Sequence, residues 1–439
     1  MQMLRLAWML GRPRGAGRAP LLLTASAYAM VSALMLLVLG GALSFTRFAP
    51  EVQGTYVSLA GFALVLLMVP LLVLGAAAVK LSARAQDRAL SSMRLLGAGT
   101  GQIAAVAVLQ AAGAAVAGAL AGVVLYFAAA PLVSQLRFQG EPIGSGIYLA
   151  WWVYPLAVLA VGLLAAGSAA AGLRKLVITP LAVATRRAAP VPKTVRAVIT
   201  VAGFAVLYLV FNNISAVAQD FFAIIMVIIV GFGLGLLVLN LIGPWLVALV
   251  GRRKLAGAQS PAQLLAARMI LENPAASWRQ VSGVAMASFV AVVGGSGAAL
   301  MQLGGSEKTG DWFDYVPADV FTGVLVTLAV SFVCVAASAA ITQTAGTLDN
   351  RELYAGLNRL GMDYSVMNAA RSKSLMIPAL TAAIGFAVAS AVLVAPLAGL
   401  SIILKPLSVL LIISAVVLGL VLVRLAIMVA EPKRLLANN

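Results

Sequence analysis

A chain of 439 residues that is 62% hydrophobic and only 10% charged cannot keep a water-facing surface wet, because soluble domains carry roughly 25% charged residues. With a mean hydropathy of +1.05 the sequence excludes a soluble globular protein. Without histidine and with a single cysteine it supplies neither an ordinary zinc site nor an intramolecular disulfide.

Apolar runs able to cross a bilayer, which needs about 20 residues, recur along the chain at 20–46, 56–79, 102–134, 148–171, 195–213, 217–250, 280–303, 319–344, 372–399 and 404–430. The runs are continuous rather than alternating, so the predicted spanning elements are helices. The expected fold is therefore an all-α polytopic membrane protein of about ten spans. The first run is too long for the apolar core of a signal peptide and reads as an uncleaved anchor. The sixth exceeds one straight crossing, so tilt, a kink at Pro244 or an extension beyond the bilayer must absorb the excess.

The net charge of +17 follows the loops rather than forming a nucleic-acid patch. With both termini inside, only Arg47, Arg137, Lys308 and Lys405 fall outside, and the other basic residues, Arg371 among them, lie on the inner side. Seven acids, among them Asp319, fall outside. Trp8, Trp245 and Trp278 are expected at inner interfaces, and Trp151, Trp152 and Trp312 at outer ones. Cys334 reads as a small packing residue inside the eighth span.

The chain resembles itself. Arg88 to Gly97 leads into the third span much as Glu352 to Gly361 leads into the ninth, and Pro131 and Pro396 close the following helices. The lead-in with Pro13 has a counterpart with Pro274. Two parallel four-helix units joined by a two-helix hairpin (4+2+4) are expected: 1–190, the hairpin 191–255, and 256–439.

Between spans two and three, and again between eight and nine, short amphipathic helices are predicted at 81–97 and 348–361. Leu90, Met93 and Leu96 with Gly97 share one side in the first, Leu353, Leu357 and Leu360 in the second. Gly97 and Gly361 are expected to end them as left-handed caps. Such helices either lie in the headgroup layer or fill a groove on a partner.

At Met93-Arg94-Leu95-Leu96-Gly97-Ala98, with Arg88 upstream, the sequence resembles the FtsX-like (MacB-type) permeases of ABC transporters. The layout is similar to the ten-span bacitracin-efflux type, and Ile178 to Arg187 resembles the tail that follows the fourth span in that family. The match is imperfect: Ala89 stands where the family has Glu, and in the second segment Glu352 lies one place early and Arg359 one place late. The outer loops 46–55 and 303–318 are too short for the large external domains of those relatives.

The resemblance implies a non-catalytic permease subunit in a bacterial cytoplasmic membrane, both termini inside. A separate cytoplasmic ATPase, a homodimer, would bind ATP and Mg and dock on Arg88, Leu90, Met93, Arg94, Leu96, Gly97, Glu352, Leu353, Leu357, Arg359, Leu360 and Gly361. This chain needs no cofactor and no metal, and it lacks the phosphate-binding pattern G-x-x-x-x-G-K-[ST]. The sparse polar residues of the spans point to an amphiphilic cargo, a peptide antibiotic or a lipid. Alternatives are a mechanical regulator of an extracytoplasmic cell-wall enzyme and an ATP-independent transporter, the latter disfavoured by the missing intramembrane charges.

Trp312, Phe313 and Tyr315 form an outer aromatic stretch compatible with either an interfacial belt or an amphiphile contact. Gln110 and Asn240 are expected to bond between helices. The glycines at 113 and 118, and at 231, 233 and 235, are expected to admit close helix packing.

Overall fold

The computed structural model describes residues 18–95, 99–178, 193–217, 219, 221–304, 312–349, 351–398 and 406–429. Helix follows apolar run throughout. The elements are α1 (Arg18–Ser44), α2 (Pro50–Leu95), α3 (Thr100–Val133), α4 (Val153–Ile178), α5 (Lys193–Asn212), the single turn α6 (Ile214–Val217), α7 (Phe221–Ala256), α8 (Pro261–Glu272), α9 (Pro274–Gly304), α10 (Val316–Asp349), α11 (Arg351–Arg359), α12 (Tyr364–Ala398) and α13 (Pro406–Val429). Among the described residues, eight helices are long and apolar enough to cross a membrane, and shorter apolar stretches lie at Val198–Asn212 and Val416–Met428. The chain is an all-α polytopic membrane protein.

Helix ends differ from expectation where no residue stops the turn. The segment after span two does not form a separate helix: α2 runs unbroken from Pro50 to Leu95, because Ala- and Leu-rich sequence with Arg and Ser keeps helix propensity until the glycines that follow. The long sixth run is one helix reaching past Pro244 to Ala256, with Arg253 and Lys254 in its last turn. Basic side chains at a C-terminus complement the helix dipole. The segment before span seven is a helix of its own, α8, with Ser260 as N-cap and Pro261 at the first position. Its inward face of Ala262, Ala266, Ala267 and Ile270 is buried against α7 and α12.

Two sets of helices pack in related ways. In the first, α1 packs on α3 and α2; in the second, α9 packs on α12 and α10. The principal seam between them joins α2 to α10, flanked by α1 on α10 and α9 on α2. That reciprocity is the pattern of a two-fold interface. The 264-residue spacing of Gly97 and Gly361 carries 50–95 onto 314–359, the range of α10 and α11 together. The sets diverge at their last helix: α4 packs on α3, whereas α13 packs on α10. The α5–α7 hairpin lies against α9 and α12.

The core is centred on α9. Of its most apolar window 83% is buried, against 17% for that of α4, so α9 is interior and α4 peripheral. Phe289 of α9 is buried together with Phe332 of α10 and Phe386 of α12. Close approach depends on a few glycines. A Cβ on Gly118 would lie 2.6 Å from the Ala25 carbonyl oxygen, and one on Gly122 2.6 Å from that of Ala29, so α1 seats directly on α3. Gly419 faces the Phe332 ring and Gly231 the Phe211 ring. Gly113 and Gly233, expected to serve the same purpose, have nothing near them.

Candidate functional site

The bundle has two differentiated ends. At one end lie the end of α2 and helix α11; at the other lie the α1–α2 connection, a β-hairpin between α3 and α4, and the start of α10.

At the first end, α11 is amphipathic, with Glu352 in its first turn and Arg359 in its last, the arrangement the helix dipole favours. It ends as the sequence predicts. Gly361 has φ +91°, its N–H donates to Asn358 O at 3.0 Å, and Met362 N–H donates to Leu357 O at 3.0 Å. These two bonds form a Schellman cap. Leu353 is 59% exposed and Leu360 85%; with the half-buried Leu357 they follow the i, i+4, i+7 spacing of one face. Glu352 and Arg359 are exposed. In the other segment Arg88, Leu90, Met93 and Arg94 lie on the final turns of α2. Leu96 and Gly97 fall outside the described residues, and so does the cap expected at Gly97.

Just inside this end, Arg371 is not the loop cation expected. It is 2% exposed and ties three helices together. Its guanidinium donates to the Thr347 hydroxyl on α10, to Asn368 Oδ1 at 3.2 Å on its own helix, and to the Ile427 carbonyl at 3.2 Å on α13. A charge this deep is held by hydrogen bonds to whatever surrounds it. Trp278 is likewise no interfacial belt residue. It is buried, tilted against the Phe386 ring (5.5 Å between ring centroids) and bonded through its indole N–H to Asn240 Oδ1 at 2.7 Å. The interhelical bond expected of Asn240 is thus present. Trp151 and Trp152 are exposed, as interfacial aromatics should be.

At the second end, β1 (Arg137–Phe138) pairs antiparallel with β2 (Glu141–Pro142) through a two-residue turn. Gln139 has φ +56° and Gly140 φ +80°, the positive pair that fits the right-handed twist of a hairpin. The loop after it is pinned down: Tyr126 Oη donates to Ile147 O at 2.7 Å, and Arg47 donates to the Ser145 and Tyr148 carbonyls at 3.4 and 3.3 Å.

This hairpin reaches across to α10. Asp319, in the first turn of α10, is 7% exposed rather than a solvated outer charge. Its Oδ2 accepts from the Tyr56 hydroxyl of α2 and from the Gln139 backbone N–H at 2.8 Å. Gln139 Nε2 donates in turn to Tyr56 Oη at 2.5 Å. Phe45, Phe48 and Phe138 surround the site, with Phe45 and Phe48 at 5.6 and 5.3 Å from the Tyr56 ring, over buried Val52 and Val316. Tyr315, one of the three outer aromatics, is 48% exposed and borders Gly140. Trp312 and Phe313 lie on the single 3-10 turn before α10.

Sequence reasoning missed Tyr56, Gln139, Asp319 and Arg371 as contact residues. The one available signal for Asp319 was its place beside an apolar run, where an acid invites a search for partners.

Residues 61–181 match the family model of the FtsX-like permease C-terminal domain. The match takes in most of α2, including the segment where Arg88 and Arg94 lie, and all of α3 and α4. No curated protein and no solved structure matches the chain. FtsX-like permeases are ABC-transporter-type membrane subunits, and the helical bundle has their polytopic character. Through residues 61–181, the chain is similar to the FtsX-like permeases.

Proposed function

We propose that this chain is the permease subunit of an ABC transporter, driven by a separate cytoplasmic ATPase that docks on the end of α2 and on α11. The observation that carries the reading is the family match over 61–181, which includes the first docking segment. The exposed Leu353 and Leu360 on α11 support it, since an apolar face left uncovered within the chain suits a groove on a partner. The chain is two copies of a four-helix unit, 1–190 and 256–439, linked by the hairpin 191–255, with its termini and both docking segments in the cytoplasm. The basic loops support this orientation.

In this reading nucleotide-driven closure of a homodimeric ATPase, which holds the ATP and Mg, pushes on α2 and α11. The push moves the two units against each other along the α2–α10 seam. The cargo is an amphiphile, a peptide antibiotic or a lipid extracted from the membrane. Tyr315, with Trp312 and Phe313, is a candidate contact for it at the outer surface. A binding assay tests the reading: the tagged chain solubilised in mild detergent should retain an untagged ABC ATPase encoded beside it. Recovery with a cell-wall hydrolase instead would favour a regulator.

A further inference from the structure

We propose that Tyr56, Gln139 and Asp319 form a releasable clasp holding the outer ends of α2 and α10 together, with Asp319 as its positioning residue and α10 as the rod linking it to α11. The inference rests on the permease reading above and adds to it a defined closed state and the residues that maintain it.

The three residues come from three separate pieces of chain. Tyr56 stands on α2, Gln139 at the tip of the hairpin after α3, and Asp319 in the first turn of α10. Each bonds to both of the others, so the cycle closes only when all three pieces are in register. Asp319 is the hub. A carboxylate accepts several hydrogen bonds, bonds to it are stronger than neutral ones, and the positive end of α10 favours its charge. The aromatic ring of Phe45, Phe48 and Phe138 keeps water from competing for the donors.

A second observation marks the same place. Gln139 is the one non-glycine with positive φ among the described residues. Turns of this kind prefer Asn, Asp or Gly at that position, because a longer side chain gains no local bond to offset the conformation. Here the strained backbone aims its N–H at Asp319 and its side chain at Tyr56. Strain held by two directed bonds is a reason to look for function at the site.

The construction allows release. All three bonds sit at the very end of the seam, where a small tilt of α10 produces the largest displacement. Below them the shared cluster mixes small side chains, Ala77, Ala78, Ala337 and Cys334, with Leu74, Leu81 and Ile341, and such apolar contacts carry no directional bond that would have to break. The rod itself has no proline beyond its first turn. Its other end is held by Thr347 on Arg371, directly before α11. A push on α11 therefore arrives at Asp319 rather than being absorbed in a kink.

The test uses Val316→Cys in a Cys334→Ala background, with the chain alone in lipid nanodiscs and maleimide labelling as readout. Val316 is 1% exposed beneath the clasp, so the parent should label slowly. Asp319→Ala should label at least about tenfold faster, Asp319→Asn less so because one acceptor is kept, and Tyr56→Phe in between. Tyr56→Phe removes a single hydroxyl and guards against a misfolded Asp319→Ala, with size-exclusion profiles compared throughout. Equal rates in the parent, Asp319→Ala and Tyr56→Phe would overturn the clasp. With the ATPase bound and trapped by vanadate, the parent should approach the Asp319→Ala rate. An unchanged parent rate beside a fast Asp319→Ala would mean a static brace and would overturn release. Absence of any co-purifying ATPase would instead sink the permease reading, and the arm that uses the chain alone would then decide the clasp.

Discussion

The indole N–H of Trp278 on α9 donates to the side-chain oxygen of Asn240 on α7 at 2.7 Å, fixing the linking hairpin to the most buried helix of the bundle. Trp278 is buried and Asn240 half-buried, so the indole N–H relies on Asn240 as its acceptor. Asn240→Leu should lower stability by about 1–3 kcal/mol, the cost of a buried donor left alone. The double variant Asn240→Leu, Trp278→Phe should be closer to the parent than Asn240→Leu, read as thermal unfolding in detergent. A double variant worse than the sum of the singles would contradict the pairing.

Close helix contact at glycine makes a second prediction. Gly118→Leu would force α1 from α3, and Gly419→Leu would drive a side chain into the Phe332 ring. Each should cost about 1–3 kcal/mol or abolish folding. Gly297→Ala, whose new methyl meets nothing within 4 Å, should be neutral or gain up to about 1 kcal/mol from helix propensity. Unfolding temperatures of the three variants give the comparison.

Much of this fold was legible because each apolar run had to become a self-satisfied helix once placed in lipid. Ends were less legible. The α2 helix runs on to Leu95 since nothing between Lys80 and Leu95 breaks a helix, and periodicity alone does not separate a surface helix from a continued one. The Gly361 cap was readable because only a local left-handed residue was needed. By sequence Asp319 is one of the acids of the outer side and nothing more, because its partner Tyr56 lies 263 residues away. Arg371 was counted among the loop cations, although its bonds to Thr347 and Ile427 span 24 and 56 residues. Pairings of this kind carry no local signal.

Orientation is testable with single cysteines in a Cys334→Ala background. Trp151→Cys, at a position 81% exposed, should react with an impermeant thiol reagent on intact cells. Leu360→Cys, 85% exposed at the opposite end, should react only after lysis. The reverse pattern would invert the proposed topology.

The purified chain, freed of partners, should neither hydrolyse ATP nor bind it, because the sequence has no glycine-lysine phosphate cradle. Turnover that survives stringent removal of contaminating ATPases would show that the chain supplies its own catalytic site.

If a separate ATPase works through the end of α2 and through α11, charge reversal at both segments should uncouple it. Arg94→Glu and Arg359→Glu leave the apolar spans untouched, so expression and insertion should stay near normal. Repulsion at the docking surface should then weaken the complex. The measurement is ATPase retention and ATP turnover for the double variant against the parent at moderate salt. The double variant should lose the ATPase on washing, and turnover should fall at least about tenfold. Retention and turnover equal to the parent would contradict that docking and leave the two segments as anchors in the headgroup layer.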